Sequence, residues 1–161
     1  MKIKKISCWV VIAALLLTMV SCAKYDISPI SIKIVVTNAD NQNLLEETAA
    51  GSWYGKEISC TLNDSESYSL AWPITKAVNV DFSGLTLSRL EGNEMALRFG
   101  AFPGDETFSH TIRFLWPDGS TNVITIDNQF SYHMGRPKIK SSYLVDGQKQ
   151  SSSIIRLKKL L

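Results

Sequence analysis

Few groups of side chains in this sequence have the types and the spacing of a catalytic or metal site. The chain has two histidines, His110 and His133, which are far apart and form no His-x-x-x-His spacing. Its three cysteines are also scattered, without a Cys-x-x-Cys pair. A zinc site needs three or four such ligands, usually brought together by short spacings of this kind. The sequence therefore predicts no metal site and no cofactor.

Nucleophilic catalysis is also poorly supported. Serine is abundant, but no Gly-x-Ser-x-Gly motif frames any serine. The acidic pairs Glu46-Glu47 and Asp105-Glu106 are neighbours in sequence, which is typical of solvated loops. Cys60 lies in a strand-like run where we expect a small buried hydrophobic residue, since a reactive thiol needs cationic neighbours. We predict no catalytic residues; a hydrolytic or redox enzyme using His133 or Cys60 is the less favoured alternative.

The sequence offers one candidate for ligand contact, the aromatic pair Trp53-Tyr54 in a loop with glycine at positions 51 and 55. Two adjacent large aromatic residues in a loop cannot both point inward. Exposed aromatic rings mark interaction surfaces and suit peptides or sugar faces. Either both rings contribute to a binding surface, or Trp53 plugs the end of the domain and Tyr54 lies on its rim.

The elements that must position these residues are strands, because the dominant hydrophobic period is two. An apolar face alternates with a mixed face in several segments, as expected of half-buried antiparallel strands. The apolar positions are Ile30, Ile32, Ile34 and Val36; Val78, Val80 and Phe82; Met95, Leu97, Phe99 and Ala101; and Ile112, Phe114 and Trp116.

Turn residues connect these segments. Pro117-Asp118-Gly119-Ser120 predicts a hairpin joining 111–116 to 121–127, and Asp146-Gly147 predicts a second joining 138–145 to 151–158. Residues 44–50 offer at most one or two helical turns. About seven to nine short strands at this spacing predict an all-β fold, a single antiparallel β-sandwich of immunoglobulin-like type. The Cys…Trp…Cys pattern of immunoglobulin domains is absent, which leaves the topology open.

The amino terminus has the organisation of a secretory signal. Lys2, Lys4 and Lys5 precede an apolar run over 6–20, and Ser21-Cys22 follows. The run has about 15 residues, fewer than the ~20 that cross a bilayer. We therefore expect a cleaved signal peptide rather than a membrane span.

The end of this signal, Met19-Val20-Ser21-Cys22, resembles the lipobox of bacterial lipoproteins. The resemblance implies that Cys22 is lipidated on sulfur, that the signal is cut just before it, and that the new amine is acylated. Several acyl chains on one residue make such an anchor effectively permanent. The predicted organisation is a lipoprotein signal peptide over 1–21, a lipidated tether over 22–29 and a β-sandwich domain over 30–161.

A wider part of the chain is similar to small outer-membrane lipoproteins of Bacteroidetes. The similarity is carried by the lipobox, the strand over 32–38, Asn43-Leu44-Leu45, and a second strand with 58–62 and Tyr68. It implies an immunoglobulin-like sandwich, and most members of that group have no assigned activity. Ala23 follows the lipidated position, which favours the outer membrane; whether the domain faces the periplasm or the surface is open.

Charge bears on the partners. The chain has 17 basic and 15 acidic side chains, and three of the lysines belong to the signal peptide. No basic stripe remains, so nucleic acid is not an expected partner.

We predict a membrane-anchored, non-catalytic β-sandwich that binds an envelope protein or a glycan. The alternative is a subunit or anchor of a surface filament, which would present an unpaired edge strand or a groove that accepts one.

Overall fold

A computed structural model describes residues 25–70 and 84–160. These residues form ten strands and no helix. The strands are β1 (Ile30–Thr37), β2 (Ser59–Leu62), β3 (Glu66–Ser69), β4 (Leu85–Arg89), β5 (Met95–Phe102), β6 (Phe108–Leu115), β7 (Thr121–His133), β8 (Arg136–Val145), β9 (Gln148–Gln150) and β10 (Ile154–Lys158). The predicted signal peptide with Cys22, and the predicted strand over 78–82, lie outside the described residues.

The strands form two sheets. The four-stranded sheet has the order β10-β1-β5-β4, and the six-stranded sheet has the order β3-β2-β6-β7-β8-β9. All neighbouring strands are antiparallel except β1 and β10, which run parallel. The fold is therefore all-β as predicted, but it is not purely antiparallel.

One hydrophobic core joins the two sheets. Phe99 of β5 meets Phe114 of β6 edge to face, with ring centroids 6.2 Å apart and an interplanar angle of 84°. On both sheets the buried side chains follow the same period of two that predicted the strands, because alternate residues of a strand share a face. Fully buried examples are Ile32, Ile34 and Val36 on β1, Ile112 and Phe114 on β6, and Ile124 and Ile126 on β7. The two sheets thus face each other as a β-sandwich.

The hairpin predicted at 117–120 is confirmed. Leu115 pairs with Thr121, and the Trp116 amide donates to the Ser120 carbonyl at 3.0 Å. Asp118 Oδ1 accepts from both the amide and the hydroxyl of Ser120, at 2.9 and 2.6 Å. The aspartate closes the turn through its own neighbouring backbone, as residues of this type do.

The second hairpin was predicted with the wrong partner. Asp146-Gly147 does end β8, but the returning strand is the short β9, whose three residues pair with 143–145. The segment 154–158 instead crosses to the other sheet and forms β10 beside β1. There Ile155 is 1% exposed and enters the core, whereas the residues of β9 at the rim of the six-stranded sheet are exposed or half-buried.

Residues 44–50 form hydrogen-bonded turns and no helix, within the limit of one or two helical turns that the sequence set. One local prediction was also wrong. On β5 the inward alternation reaches Phe102 instead of Ala101, because the strand bulges: Ile30 pairs with Phe102, whereas Ile32 pairs with Phe99. The bulge is placed by Gly100, whose φ of 85° disfavours other residues.

The two ends of the sandwich differ. The end where β1 begins, here the tether end, holds the loop 103–107 and the start of β6. The side chain of Ile27 and the backbone of Ser28 lie so close to Gly104 that a Cβ there would come within 2.6 Å of the Ser28 carbonyl oxygen. The opposite end, here the distal end, holds the loop 38–58 and the turn 117–120.

Candidate functional site at the distal end

The aromatic pair of the distal loop is split between core and surface. Trp53 is only 2% exposed, and its ring stacks on Trp116 with centroids 5.7 Å apart and a 25° interplanar angle. Trp116 in turn stacks on Phe114 at 5.3 Å and 12°. Tyr54 is 41% exposed. The structure thus places Trp53 as a plug of the sandwich, and Tyr54 is the member of the pair that reaches the surface.

Two asparagines shape the loop that carries this pair. Asn38, 6% exposed, accepts the amides of Asp40 and Gln42 at 3.0 and 2.9 Å. Asn43 donates to the Met95 carbonyl at 2.7 Å and accepts the Leu45 amide at 3.0 Å. Amide side chains with these partners replace strand pairing for a loop backbone. These hydrogen bonds hold the loop so that Leu44 and Leu45 enter the core and Tyr54 stays on the surface.

An open cleft of about 390 Å³ lies beside the aromatic plug. Leu115 contributes an apolar wall and is 49% exposed, because it faces outward on β6 next to the turn. No cleft was predicted here; its signal in the sequence is Leu115, an apolar residue at an outward position of an alternating strand. The lining residues are Lys56, Glu57, Ser59, Leu115, Trp116, Pro117 and Gly119.

Lys159 packs against the ring of Trp116, which stacks on Trp53. Lys159 Nζ lies 5.4 Å from the centroid of the Trp116 ring and donates to Ser120 Oγ at 2.6 Å and Asn122 Oδ1 at 2.9 Å. Burial lowers the pKa of Lys159, and the carboxylates of Asp118 and Asp146 oppose that shift. An ammonium over an indole is an attractive arrangement. Lys159 therefore links the distal turn, through Ser120, to the ring of Trp116.

Contacts with Ser120 and Lys159 lower the pKa of Asp118. Burial tends to raise that pKa, but the hydrogen bonds from Ser120 and the charge of Lys159 outweigh it, so the Asp118 pKa lies below its usual value. The carboxylate is held ionised by turn contacts. Such contacts stabilise the turn and leave the group poorly suited to accept a proton from a substrate.

The candidate catalytic groups do not converge. His110 Nδ1 lies 3.0 Å from Asn63 Nδ2, and its ring stacks on Phe108 with centroids 4.7 Å apart. His133 lies on the surface at the end of β7, paired with Arg136. Cys60 is buried, and burial raises its pKa to about 12, so the thiolate is scarce at neutral pH. In residues 25–70 and 84–160, no group of three or more His, Cys, Asp or Glu side chains could hold a metal.

One residue of the acidic pairs has a structural role. Glu46 Oε1 accepts the Met95 amide at 3.2 Å and lies 3.6 Å from Arg89 Nη1. This contact ties the distal loop to the start of β5. Asp105 and Glu106 lie in the exposed loop at the tether end. The two pairs are thus at opposite ends of the domain and form no joint site.

Comparison with known proteins adds no relative. No family model matches the chain, and no curated protein or solved structure is significantly similar to it. Within the described part of the chain, no helix has both the length and the apolar character needed to cross a membrane.

Proposed function

We propose that this chain is a lipid-anchored envelope protein whose non-catalytic β-sandwich binds a protein or glycan partner at its distal end. One observation carries the proposal: the chain enters the domain at the tether end, whereas Tyr54 and the cleft lie at the other end. An anchor at Cys22 would therefore leave the cleft facing away from the membrane. That orientation is the useful one for a tethered binding domain.

The immunoglobulin-like assignment belongs to the same proposal, and the strand orders support it. In such domains one sheet has the order A-B-E-D and the other the order C-F-G, to which variable-type domains add C′ beside C. Here β1-β5-β4 matches B-E-D, and β3-β2-β6-β7 matches C′-C-F-G. The position of strand A, at the outer edge of B, is taken by β10 from the end of the chain. Strands β8 and β9 extend the second sheet beyond G.

The distal surface has the chemistry of a binding site. Tyr54 offers a half-exposed ring with a polar tip, and Leu115 offers an apolar wall. Lys56 and Glu57 give the cleft a rim of both charges. A flat ring beside a partly apolar cleft suits a peptide segment or the face of a sugar. We favour a protein partner, with a glycan second.

Lipidation is tested with a fatty-acid probe in growing cells. The unaltered protein should incorporate the label and migrate as a cleaved chain, whereas Cys22→Ala should incorporate none and remain uncut or be released. Protease treatment of intact cells then separates surface exposure from a periplasmic location. Label in the Cys22→Ala protein would contradict the proposed anchor.

The binding face is tested with a photo-crosslinking amino acid at Leu115 in intact cells. A partner at the distal end should give a discrete crosslinked species there, and Tyr54→Ala should weaken it. The matched control carries the crosslinker at Asp105, an exposed residue of the tether end. The same species from both positions, or none from Leu115, would refute a distal binding face.

A subunit or anchor of a surface filament is the second candidate, and β10 is the observation that favours it. This strand lies at the edge of the four-stranded sheet and pairs with β1 over 33–37. An edge strand can pair with the equivalent edge of another copy. Chemical crosslinking in membranes should then give a ladder of copies, whereas a single monomer band would count against assembly.

A further inference from the structure

The hairpin of β7 and β8 is longer than the sandwich that carries it. β7 pairs with β6 only as far as Asn128, but it pairs with β8 as far as His133. The last link to the β6 side is Thr107 Oγ1, which accepts the Phe130 amide at 3.0 Å and donates to the Phe130 carbonyl at 3.3 Å. Residues 129–140 therefore form a two-stranded projection, named the arm below.

One face of the arm is apolar because the core alternation of β7 continues past the core. Ile124, Ile126 and Asn128 are buried, and the next residues on that face, Phe130 and Tyr132, lie beyond the last residue that β7 pairs with β6. Their cross-strand partners are Ile139 and Pro137. The exposed fractions are 64% for Tyr132, 43% for Ile139 and 91% for Met134 at the tip.

The other face of the arm is basic. Arg136, Lys138 and Lys140 lie opposite His133, Ser131 and Gln129 in the register. Residues 129–140 contain no aspartate or glutamate. The ion pairs found among the described residues involve none of these three cations. The arm thus has one face of aromatic and aliphatic side chains and one face with three cations, and no ion pair of the described residues involves these cations.

The arm projects from the end of the domain where the chain enters. Asn128 at its base donates to the Gly104 carbonyl at 3.3 Å, and Gly104 lies against Ile27 and Ser28. The six residues from Ser28 back to Cys22 can span at most about 20 Å. The five steps from Asn128 to His133, at roughly 3.4 Å each, reach about 17 Å. The tip of the arm and an anchor at Cys22 can therefore meet one plane.

We propose that the arm is a second membrane contact, which places Tyr132 and Met134 in the interfacial layer of the bilayer that holds Cys22. Arg136, Lys138 and Lys140 then lie against anionic lipid headgroups. This inference rests on the proposed lipid anchor. Tyrosine favours the boundary between headgroups and acyl chains, and lysine and arginine near the bilayer are drawn to anionic lipid.

The charge of the arm favours a bilayer over a second copy of the chain. Among residues 25–70 and 84–160, no strand pairs with the outer edge of β8 from Arg136 to Ser142, since β9 covers only 143–145. Lysine on a free edge opposes pairing with another strand, and Lys138 and Lys140 stand there. Two copies joined through their arms would bring like charges together. An anionic lipid surface neutralises the same charges.

The test uses the mature lipoprotein, acylated at Cys22, in vesicles of phosphatidylethanolamine and phosphatidylglycerol. Met134→Cys is labelled with a polarity-sensitive maleimide dye; Cys60 is buried and the sulfur of Cys22 is occupied by lipid, so neither competes. Thr121→Cys, exposed at the distal end, is the matched control. The dye at position 134 should shift to the blue and be quenched several-fold more by brominated lipid than the dye at 121.

The charge contribution is tested by Arg136→Gln, Lys138→Gln and Lys140→Gln combined. This variant should reduce the quenching at position 134, as should raised salt, because the headgroup attraction is screened. Lys33→Gln, Arg98→Gln and Lys149→Gln combined remove the same charge elsewhere and should leave the quenching unchanged. Equal thermal melts of the two triple variants establish that the fold is retained.

The outcomes separate the inference from the proposed function. Absence of acyl groups by mass spectrometry would defeat the anchor itself, whatever the dye reports. Acylated protein with a water-exposed dye at 134, matching that at 121, would overturn the arm contact and leave the anchor in place. A blue shift that disappears when the protein is diluted among more vesicles would also overturn it, because a second copy would then cover the arm.

Discussion

Replacing Phe114 or its neighbour Leu115 by aspartate measures how strictly the strand alternation sets stability. Phe114 is fully buried between Phe99 and Trp116, whereas Leu115 is 49% exposed on the other face of β6. Phe114→Asp loses about 3–5 kcal/mol from the cavity alone. A carboxylate without a partner in that site costs several more. Together these approach the whole stability of about 5–15 kcal/mol of a small domain.

Leu115→Asp loses only the part of the side chain that is covered. Full burial of a leucine contributes about 1.5–3 kcal/mol, so half-burial corresponds to roughly 1 kcal/mol. Both variants introduce the same side chain into the same strand, one residue apart. The comparison therefore isolates the face of the sheet from the chemistry of the substitution.

Urea unfolding followed by tryptophan fluorescence is the assay, because Trp53 and Trp116 are stacked in the folded core. With a denaturant dependence of about 1–3 kcal/mol per molar urea, Leu115→Asp should lower the midpoint by roughly 0.5 M. Phe114→Asp should be unfolded without urea or lose most of its transition. Equal midpoints for the two variants would refute the assignment of β6 as a half-exposed strand.

Three further substitutions probe the contacts that define the two ends. Asn128→Ala should cost about 2–4 kcal/mol in urea unfolding, because the buried amide donates to two loop carbonyls. Gly100→Ala should lower the melting temperature and force Phe102 to move, since a Cβ would lie 2.4 Å from that ring. Glu94→Gln should cost at most about 1 kcal/mol at pH 7, because the pair with Arg156 is exposed to solvent. The Arg156 hydrogen bonds hold the Glu94 pKa below its ordinary value of 4.5, so this stabilisation is present above that pH and is lost as the pH falls through the folded pKa.

Each of these substitutions has a control at a neighbouring position. Gln129→Ala changes an exposed residue beside Asn128 and should cost less than about 0.5 kcal/mol. Gly92→Ala meets no nearby atom, so it reports the cost of the positive φ alone. Glu91→Gln removes a carboxylate from the same turn as Glu94. A pH dependence equal to that of Glu94→Gln would show that the Arg156 contact is not its source.

Local patterns predicted those parts of the fold that local chemistry determines. The turn at 117–120 follows from proline, aspartate and glycine in consecutive positions, and each of these acts on its own backbone. The buried faces of β1, β6 and β7 follow from their alternation. Gly100 also carried a readable signal, because a glycine inside a strand pattern often marks a bulge.

The wrong predictions concern which segments, distant in sequence, pair with each other. Residues 154–158 alternate as a strand does, and that pattern is the same whether they return beside β8 or cross to β1. Burial of Ile155 against the core decides between them, which is a tertiary effect. The cleft was missed for a related reason, since Leu115 becomes a wall only when the turn and residues 56–59 meet beside it.

The positions of the two exposed tyrosines constrain any account of function. Tyr54 follows the plug that stacks on Trp116, next to the start of β7, and Tyr132 lies near the end of that strand. Eleven steps of about 3.4 Å separate Thr121 from Tyr132, or roughly 37 Å. A single small ligand cannot cover both rings. If both surfaces are used, they require separate partners, and a membrane at the tether end with a protein or glycan at the distal end meets that requirement.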